Sequence, residues 1–373
     1  MQNAERRQDW KSTLINLSSL HSAFCTLHSA FVYIPIMAKH TIVLLPGDGI
    51  GPEVTASARR VLDAAGFSVD WVVVPAGASA LEQGHDNVLP DSTVEAIRTH
   101  KIALKGPVTT PVGKGFKSVN VQLRQKLNLY AAVRPVRNLP GVKTRFSDID
   151  LVIIRENTEG LYSGIENEIV PGVVTSLKVA SAVACTRIAK YAFNYASTRG
   201  RNRVTVFHKA NIMKLSDGLF LDCARKVHQQ EHPEIEYNEI IIDAGCMKLV
   251  QDPARMDVLL MENLYGDLIS DLCAGLVGGL GVVPGSNIGE SAAVFEAVHG
   301  SAPDIAGKGI ANPLAVIMSA VMMLNHLGET AIGSKIKHAY DHLLQEGNPA
   351  KLTRDLGGNA STDQFTDALI RMM

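Results

Sequence analysis

His40 to Val54 reads HTIVLLPGDGIGPEV. An apolar, β-branched run comes first, then a glycine turn, then Pro52 and Glu53, a pair suited to the opening turn of a helix. Strand, tight turn and helix in that order begin an α/β domain. The turn has the placement of a dinucleotide loop but not its spacing. Its glycines run G-x-G-x-G into Pro52, and no acidic residue closes a second strand at the required distance. A tight strand-to-helix turn accounts for Gly47 to Gly51 at least as well as a pyrophosphate cradle does.

The same alternation continues outward. VDWVVV precedes a helix capped by Asp91, and KIALKG follows it. LYAAVRP, DLVIIRE, RVTVFHK, IEYNEIIID and MDVLLME are further strand candidates, with a helix expected over Ala180 to Thr198. Apolar runs of strand length alternating with helical periodicity predict an α/β fold on a largely parallel sheet. No repeat or low-complexity linker marks a domain boundary.

The 373 residues amount to two or three domains' worth of chain, and 46% hydrophobic with 20% charged residues is ordinary globular composition. A net charge of -1 argues against a nucleic-acid surface and leaves room for a local basic pocket. Cys25, Cys185, Cys223, Cys246 and Cys273 are an odd set without close pairs. They predict neither a disulfide framework nor a zinc site, and they fit a reducing compartment. Residues 1–36 combine a charged start with an apolar stretch too polar to span a membrane. They are expected to be a disordered extension, and translation from Met37 would leave them out.

Asn263 to Asp271 reads NLYGDLISD and places Asp267 and Asp271 one helical turn apart. The flanking LCAGLVGGLGVVPG is apolar and glycine-rich, so a solvated helix face describes the pair poorly. A buried acidic pair needs a counter-charge, and a divalent cation is the natural one. Arg124, Arg134 and Arg155 lie in or beside strand and helix segments where a charge must be paired. With Ser118 and Asn120 just ahead of Arg124, they make a polycarboxylate site plausible, although each alone is more often a structural ion pair.

The motifs GDGIGPEV, KSVNVQLR, RENTEGLYSGIE, HKANIMK, NLYGDLISDLCAGLVGGLG and VHGSAPDIAGKGIANP occur in this order. Together they resemble the β-decarboxylating dehydrogenases of the isocitrate and 3-isopropylmalate family, from Ala38 to the C-terminal region. The resemblance implies that family's own two-domain fold and not a Rossmann fold. Residues 38–129 and 278–373 would form a large, cofactor-side domain, and residues 130–277 a small domain for dimerisation and metal binding. It implies that Ser118, Asn120, Arg124, Arg134 and Arg155 bind substrate carboxylates and that Tyr162 is the proton donor. Lys209 would assist proton transfer at the hydroxyl, and Asp243, Asp267 and Asp271 would hold Mg2+ or Mn2+, with Lys209 and Asp243 reaching the site of a partner subunit. Thr110, His299, Gly300, Ala302, Asp304, Ile305 and Asn312 would contact the dinucleotide.

Asp304 followed by Ile305 favours NAD, because a carboxylate accepts hydrogen bonds from a ribose diol and repels the extra phosphate of NADP. The polar segment before Arg124 favours isocitrate over an isopropyl-bearing substrate. Homoisocitrate is the runner-up, since one methylene changes discrimination by only about 1–3 kcal/mol. Tartrate or malate oxidation is weaker. A non-catalytic regulatory subunit is the alternative of another class, and the presence of Tyr162, Lys209, the three aspartates and the three arginines argues against it. A metal-dependent phosphatase or nucleotide-binding module would leave the arginines unexplained. A cytoplasmic homodimer or larger homo-oligomer is expected, with the mitochondrial matrix as the alternative location and neither nucleic acid nor membrane as partner.

Overall fold

The computed structural model describes residues 40–111 and 116–373, and the expected extension over 1–36 lies outside them. The strands are β1 (His40–Leu45), β2 (Val69–Val73), β3 (Ile102–Lys105), β4 (Ala131–Arg137), β5 (Asp150–Glu156), β6 (Glu166–Val170), β7 (Val173–Ser176), β8 (Arg203–His208), β9 (Glu236–Ile241), β10 (Val258–Met261), β11 (Pro284–Ile288) and β12 (Ala293–Ala297). The helices are α1 (Gly51–Ala65), α2 (Ala78–Glu82), α3 (Asp91–His100), α4 (Val119–Lys126), α5 (Ala182–Thr198), α6 (Ser216–Glu231), α7 (Ile242–Gln251), α8 (Asn263–Leu276), α9 (Leu314–His326), α10 (Thr330–Glu346) and α11 (Thr362–Arg371).

Ten of these strands form one sheet in the order β2-β1-β3-β12-β11-β4-β5-β10-β8-β9. Six of its nine strand pairings are parallel, as the largely parallel expectation has it, but the centre is mixed. Its outer blocks are parallel, but β11 runs antiparallel to both β12 and β4, and β4 antiparallel to β5. A strand candidate carries no mark of direction, so this reversal at the middle could not be read from apolar runs.

Both faces of the sheet are covered, and each strand's alternation shows it. On β5, Leu151 and Ile153 pack with Ile269 and Cys273 of α8, whereas Val152 and Ile154 pack with Ile188 and Ala192 of α5. On β1, Ile42 and Leu44 face the core beneath α1, and Val43 and Leu45 face Val94 and Ile97 of α3. Two-sided burial is why these runs read as continuously apolar.

The GDGIG turn is a packing device. Gly47 and Gly49 have φ of +79° and +59°, and a Cβ on either would lie 2.0 Å from a backbone oxygen, that of Pro107 or of Ser301. Three segments meet there more closely than any side chain permits.

Several boundaries moved. Asp91 is the first residue of α3 and no cap; the cap position is Pro90, and Asp91 pairs with Lys126 at 2.7 Å. The helix expected from Ala180 opens at Ala182, after the Ser181 hydroxyl accepts the Ala184 N–H at 3.2 Å. IEYNEIIID stops being a strand at Ile241, and Asp243 sits in the first turn of α7. The antiparallel β6–β7 hairpin was not anticipated, and it exposes Ile169, Val170, Val173 and Val174. Cys185, Cys223, Cys246 and Cys273 are free thiols, as expected. Among the described residues, no helix is long and apolar enough to cross a membrane.

Candidate active site

Three elements bring the arginines together: Arg124 from α4, Arg134 from β4 and Arg155 from β5. Arg155 shares the parity of Leu151 and Ile153 and so lies beneath α8. Gly266 gives it room there, since a Cβ at that position would fall 2.3 Å from the Arg155 side chain. Gly285 does the same for Arg134, whose Nη1 would lie 2.0 Å from an added Cβ. Relative exposures are 8% for Arg124, 4% for Arg134 and 1% for Arg155.

Their hydrogen bonding differs. Arg155 is committed to protein: Nε and Nη2 donate to Asn263 Oδ1 at 3.1 and 2.6 Å, and Nη1 donates to Asp267. Arg134 has Nε and Nη1 buried without a partner, Arg124 has Nε without one, and so does Asn120 Oδ1. Burial, and then the charge of Arg155, lowers Arg124 to about 10. Buried donors left unpaired are costly, and here they converge. The arrangement suits an anion with more than one carboxylate.

The carboxylate answering them from the protein is Glu296 on β12. Its Oε2 lies 2.6 Å from Lys105 Nζ, its Oε1 accepts from Asn287 Nδ2 at 2.6 Å, and Arg134 Nη2 is 3.9 Å away. Burial raises Glu296, but Lys105, Arg134 and Arg124 outweigh it and hold it at about 2 instead of 4.5. A folded-state pKa below the unfolded value stabilises above the unfolded value and loses that contribution as pH falls through the folded one. Glu296→Gln should therefore lower stability at pH 6 by roughly 3 kcal/mol, with the gap between the two proteins closing between about pH 4.5 and 2. Urea midpoints across that range check this; a gap independent of pH would show that the charge is not the source. Neither Glu296 nor Lys105 stood out in the sequence, where each is one charge in an apolar strand.

Asp267 and Asp271 sit on α8 at the edge of this cluster. They are not the buried pair expected: Asp267 is half-exposed and Asp271 exposed. Asp267 already has a counter-charge, accepting from Arg155 Nη1 and from the Tyr162 hydroxyl. Burial raises its pKa, but Arg155 and Tyr162 prevail and hold it low, so it is ionised. Burial, and then the neighbouring charge of Asp267, raises Asp271. The two carboxylates are hard oxygen donors suited to Mg2+ or Mn2+. Burial and Asp267 also raise Tyr162, keeping the phenol protonated at neutral pH.

Lys209 and Asp243 stand apart from these groups. Lys209 Nζ bonds Asp243 Oδ1 at 2.6 Å, and no group of three or more potential metal-ligating side chains forms among the described residues. Close to them in sequence, Ile212, Leu215 and Met247 are exposed, Leu215 at 90%.

A cavity of about 610 Å3 lies on the other half of the sheet, lined by Ile50, His299, Gly300, Ala302, Ile305 and Asn312 among others. Five of the seven expected cofactor residues line it. Asp304 is exposed on the adjoining turn, and the Thr110 hydroxyl accepts the Val119 N–H at the start of α4. His299 Nδ1 bonds the Gly300 carbonyl at 3.0 Å, and burial lowers its pKa. In the neutral ring with Nδ1 protonated, Nε2 is a buried acceptor without a partner. Arg354 and Asp355 also line the cavity, with Asp355 accepting from Asn312 at 2.8 Å, and sequence reasoning passed over both.

The family profile of isocitrate/isopropylmalate dehydrogenases matches residues 41–369. The chain belongs to this family. Within it, an isocitrate dehydrogenase [NAD] catalytic subunit 5, mitochondrial, of Arabidopsis thaliana is 51% identical, covering 94% of this chain and 91% of that protein. A chloroplastic 3-isopropylmalate dehydrogenase of Solanum tuberosum is 54% identical over 76% of this chain and 79% of its own length. Among solved structures, an isocitrate dehydrogenase from Methylococcus capsulatus superposes with a TM-score of 0.85 at 48% identity, covering 89% of this chain and 99% of that one. The isocitrate/isopropylmalate fold inferred from the motif order is thus confirmed.

Proposed function

We propose that this chain catalyses the NAD-dependent oxidative decarboxylation of isocitrate to 2-oxoglutarate and carbon dioxide, with Mg2+ or Mn2+. The observation that carries the reading is the set of unpaired buried polar atoms on Arg124, Arg134 and Asn120. Relatives of similar identity act on isocitrate and on 3-isopropylmalate by name, so the family alone does not choose. Asn120 supports isocitrate: an isopropyl group would leave its buried amide oxygen unanswered, whereas a third carboxylate can hold a water that donates to it.

When bound, the cation supplies stabilisation of negative charge on substrate oxygen, and NAD supplies the hydride acceptor. The protein's own residues do the rest. Arg124 and Arg134 fix the carboxylates, Lys209 assists loss of the hydroxyl proton, and Tyr162 returns a proton to the carbon from which carbon dioxide leaves. Residues 38–129 and 278–373 form the cofactor-side domain and 130–277 the metal-binding domain, a division supported by the cavity around His299, which is built wholly from the former.

The site is shared between chains, with Lys209 and Asp243 serving a neighbour. Support comes from Asp243 forming no metal-ligating group with Asp267 and Asp271 within one chain, and from the exposed Ile212, Leu215 and Met247 near Lys209 and Asp243 in sequence. Relatives carry names of catalytic, alpha and regulatory subunits, so the neighbour is either a second copy or a homologous subunit. Several relatives are mitochondrial by name, and on that ground the matrix replaces the cytoplasm as the location.

Purified protein offered isocitrate, homoisocitrate and 3-isopropylmalate, each with NAD or NADP and Mn2+, should rank isocitrate with NAD first in kcat/KM. A first rank for 3-isopropylmalate would overturn the substrate reading. A preference for NADP would overturn the role given to Asp304. No turnover with any pair would favour a regulatory subunit.

A further inference from the structure

Lys178, Asp217, Glu262 and Tyr265 form a buried polar cluster that none of these roles uses. Lys178 Nζ lies 2.6 Å from Asp217 Oδ1, 3.8 Å from Glu262 Oε1 and 4.6 Å from the centre of the Tyr265 ring. The other oxygen of Asp217 accepts the backbone N–H of Lys209 at 2.6 Å, and the Tyr265 hydroxyl lies 3.4 Å from it. Asp217 is 3% exposed, so its carboxylate is satisfied by these partners and not by solvent. Glu262 accepts the N–H groups of Tyr265 and Leu264, capping the helix that carries Asp267 and Asp271.

We propose that Asp217, held by Lys178, is the positioning residue of Lys209. Lys209 carries its ammonium on a flexible four-carbon stem, so the point from which it acts depends on where its backbone is anchored. Its backbone N–H is anchored by Asp217, while its carbonyl accepts from the N–H groups of Ile212 and Met213 in the following turn. Displacing a reacting group by about 1 Å costs on the order of a hundredfold in rate. Through Lys178 and Glu262 the same cluster joins the segment presenting Lys209 to the start of α8, so the two sets of catalytic groups move as one body. The inference rests on Lys209 assisting proton transfer, as read above.

The test uses the full-length protein with Mn2+ and NAD, on whichever of the three acids wild type turns over fastest. A failed substrate reading thus shows in wild type and leaves this test intact. Asp217→Asn keeps the shape and weakens the acceptor; Asp217→Glu keeps the charge. The expected result is a kcat about 10- to 100-fold lower for Asp217→Asn, with KM for both substrates within twofold and most of the rate regained in Asp217→Glu. Lys178→Met, which lies away from substrate, should reproduce the kcat loss and add little to Asp217→Asn in the double variant. Should Asp217→Asn fail to fold, Lys178→Met decides alone. A kcat within twofold of wild type, or losses in kcat that only follow losses in Tm without recovery in Asp217→Glu, would overturn the proposal.

Discussion

Replacing Arg134 with methionine is expected to lower kcat/KM for isocitrate by about 30- to 4000-fold, corresponding to the 2–5 kcal/mol typical of truncating one partner of a buried charge pair. Arg134 is nearly inaccessible, Glu296 lies 3.9 Å away, and two of its nitrogens have no partner among the described residues. On the proposed function, those nitrogens are the groups a substrate carboxylate would complete. NAD affinity, on the proposed role of the cavity around His299, should stay within twofold. Steady-state kinetics with a fluorescence titration of NADH reads both. A kcat/KM within threefold of wild type would mean that Arg134 belongs to the scaffold alone.

Lys209→Met and Asp267→Asn are each expected to abolish turnover, and mixing the two under conditions of chain exchange should restore about a quarter of wild-type activity. Random exchange makes half the dimers mixed, and in each mixed dimer one site collects both lesions while the other collects neither. The structure motivates the design: Asp267 joins Arg155 and Tyr162, whereas Lys209 and Asp243 bond each other. Asp267→Asn should also raise the Mn2+ concentration needed for any residual rate. If mass spectrometry shows exchanged chains and no activity returns, Lys209 acts within its own chain or not at all.

How far the site was legible varied with the kind of information involved. Arg124, Arg134 and Arg155 stood out because charges in apolar segments need partners, yet their convergence could not be read from spacing. That one of them is spoken for by Asp267 and Asn263 while two keep open donors follows from the packing of α8 over β5. The expectation that Asp267 and Asp271 are buried came from their apolar flanks, but those flanks face the core and the aspartates do not. Glu296, Lys105 and Asp217 went unnoticed because a single buried charge has no local pattern; its partner lies on another strand or helix.

By itself the sequence determined the alternation of strand and helix, the two-sided burial of the strands, the tight turn at Gly47 and Gly49, and the motif order that names the family. These are short-range matters, settled by side-chain period and backbone sterics over a few residues. Tertiary structure alone decided the reversed strands β4 and β11, the apolar β6–β7 hairpin, and the pairing of Arg155 with Asp267 across 112 residues of chain. Strand order and direction depend on which long loops close, and the free energies of closing alternative loops differ little with length. The ion pairs that complete the site inherit that dependence, because charges far apart in the chain interact only after the sheet has brought them together.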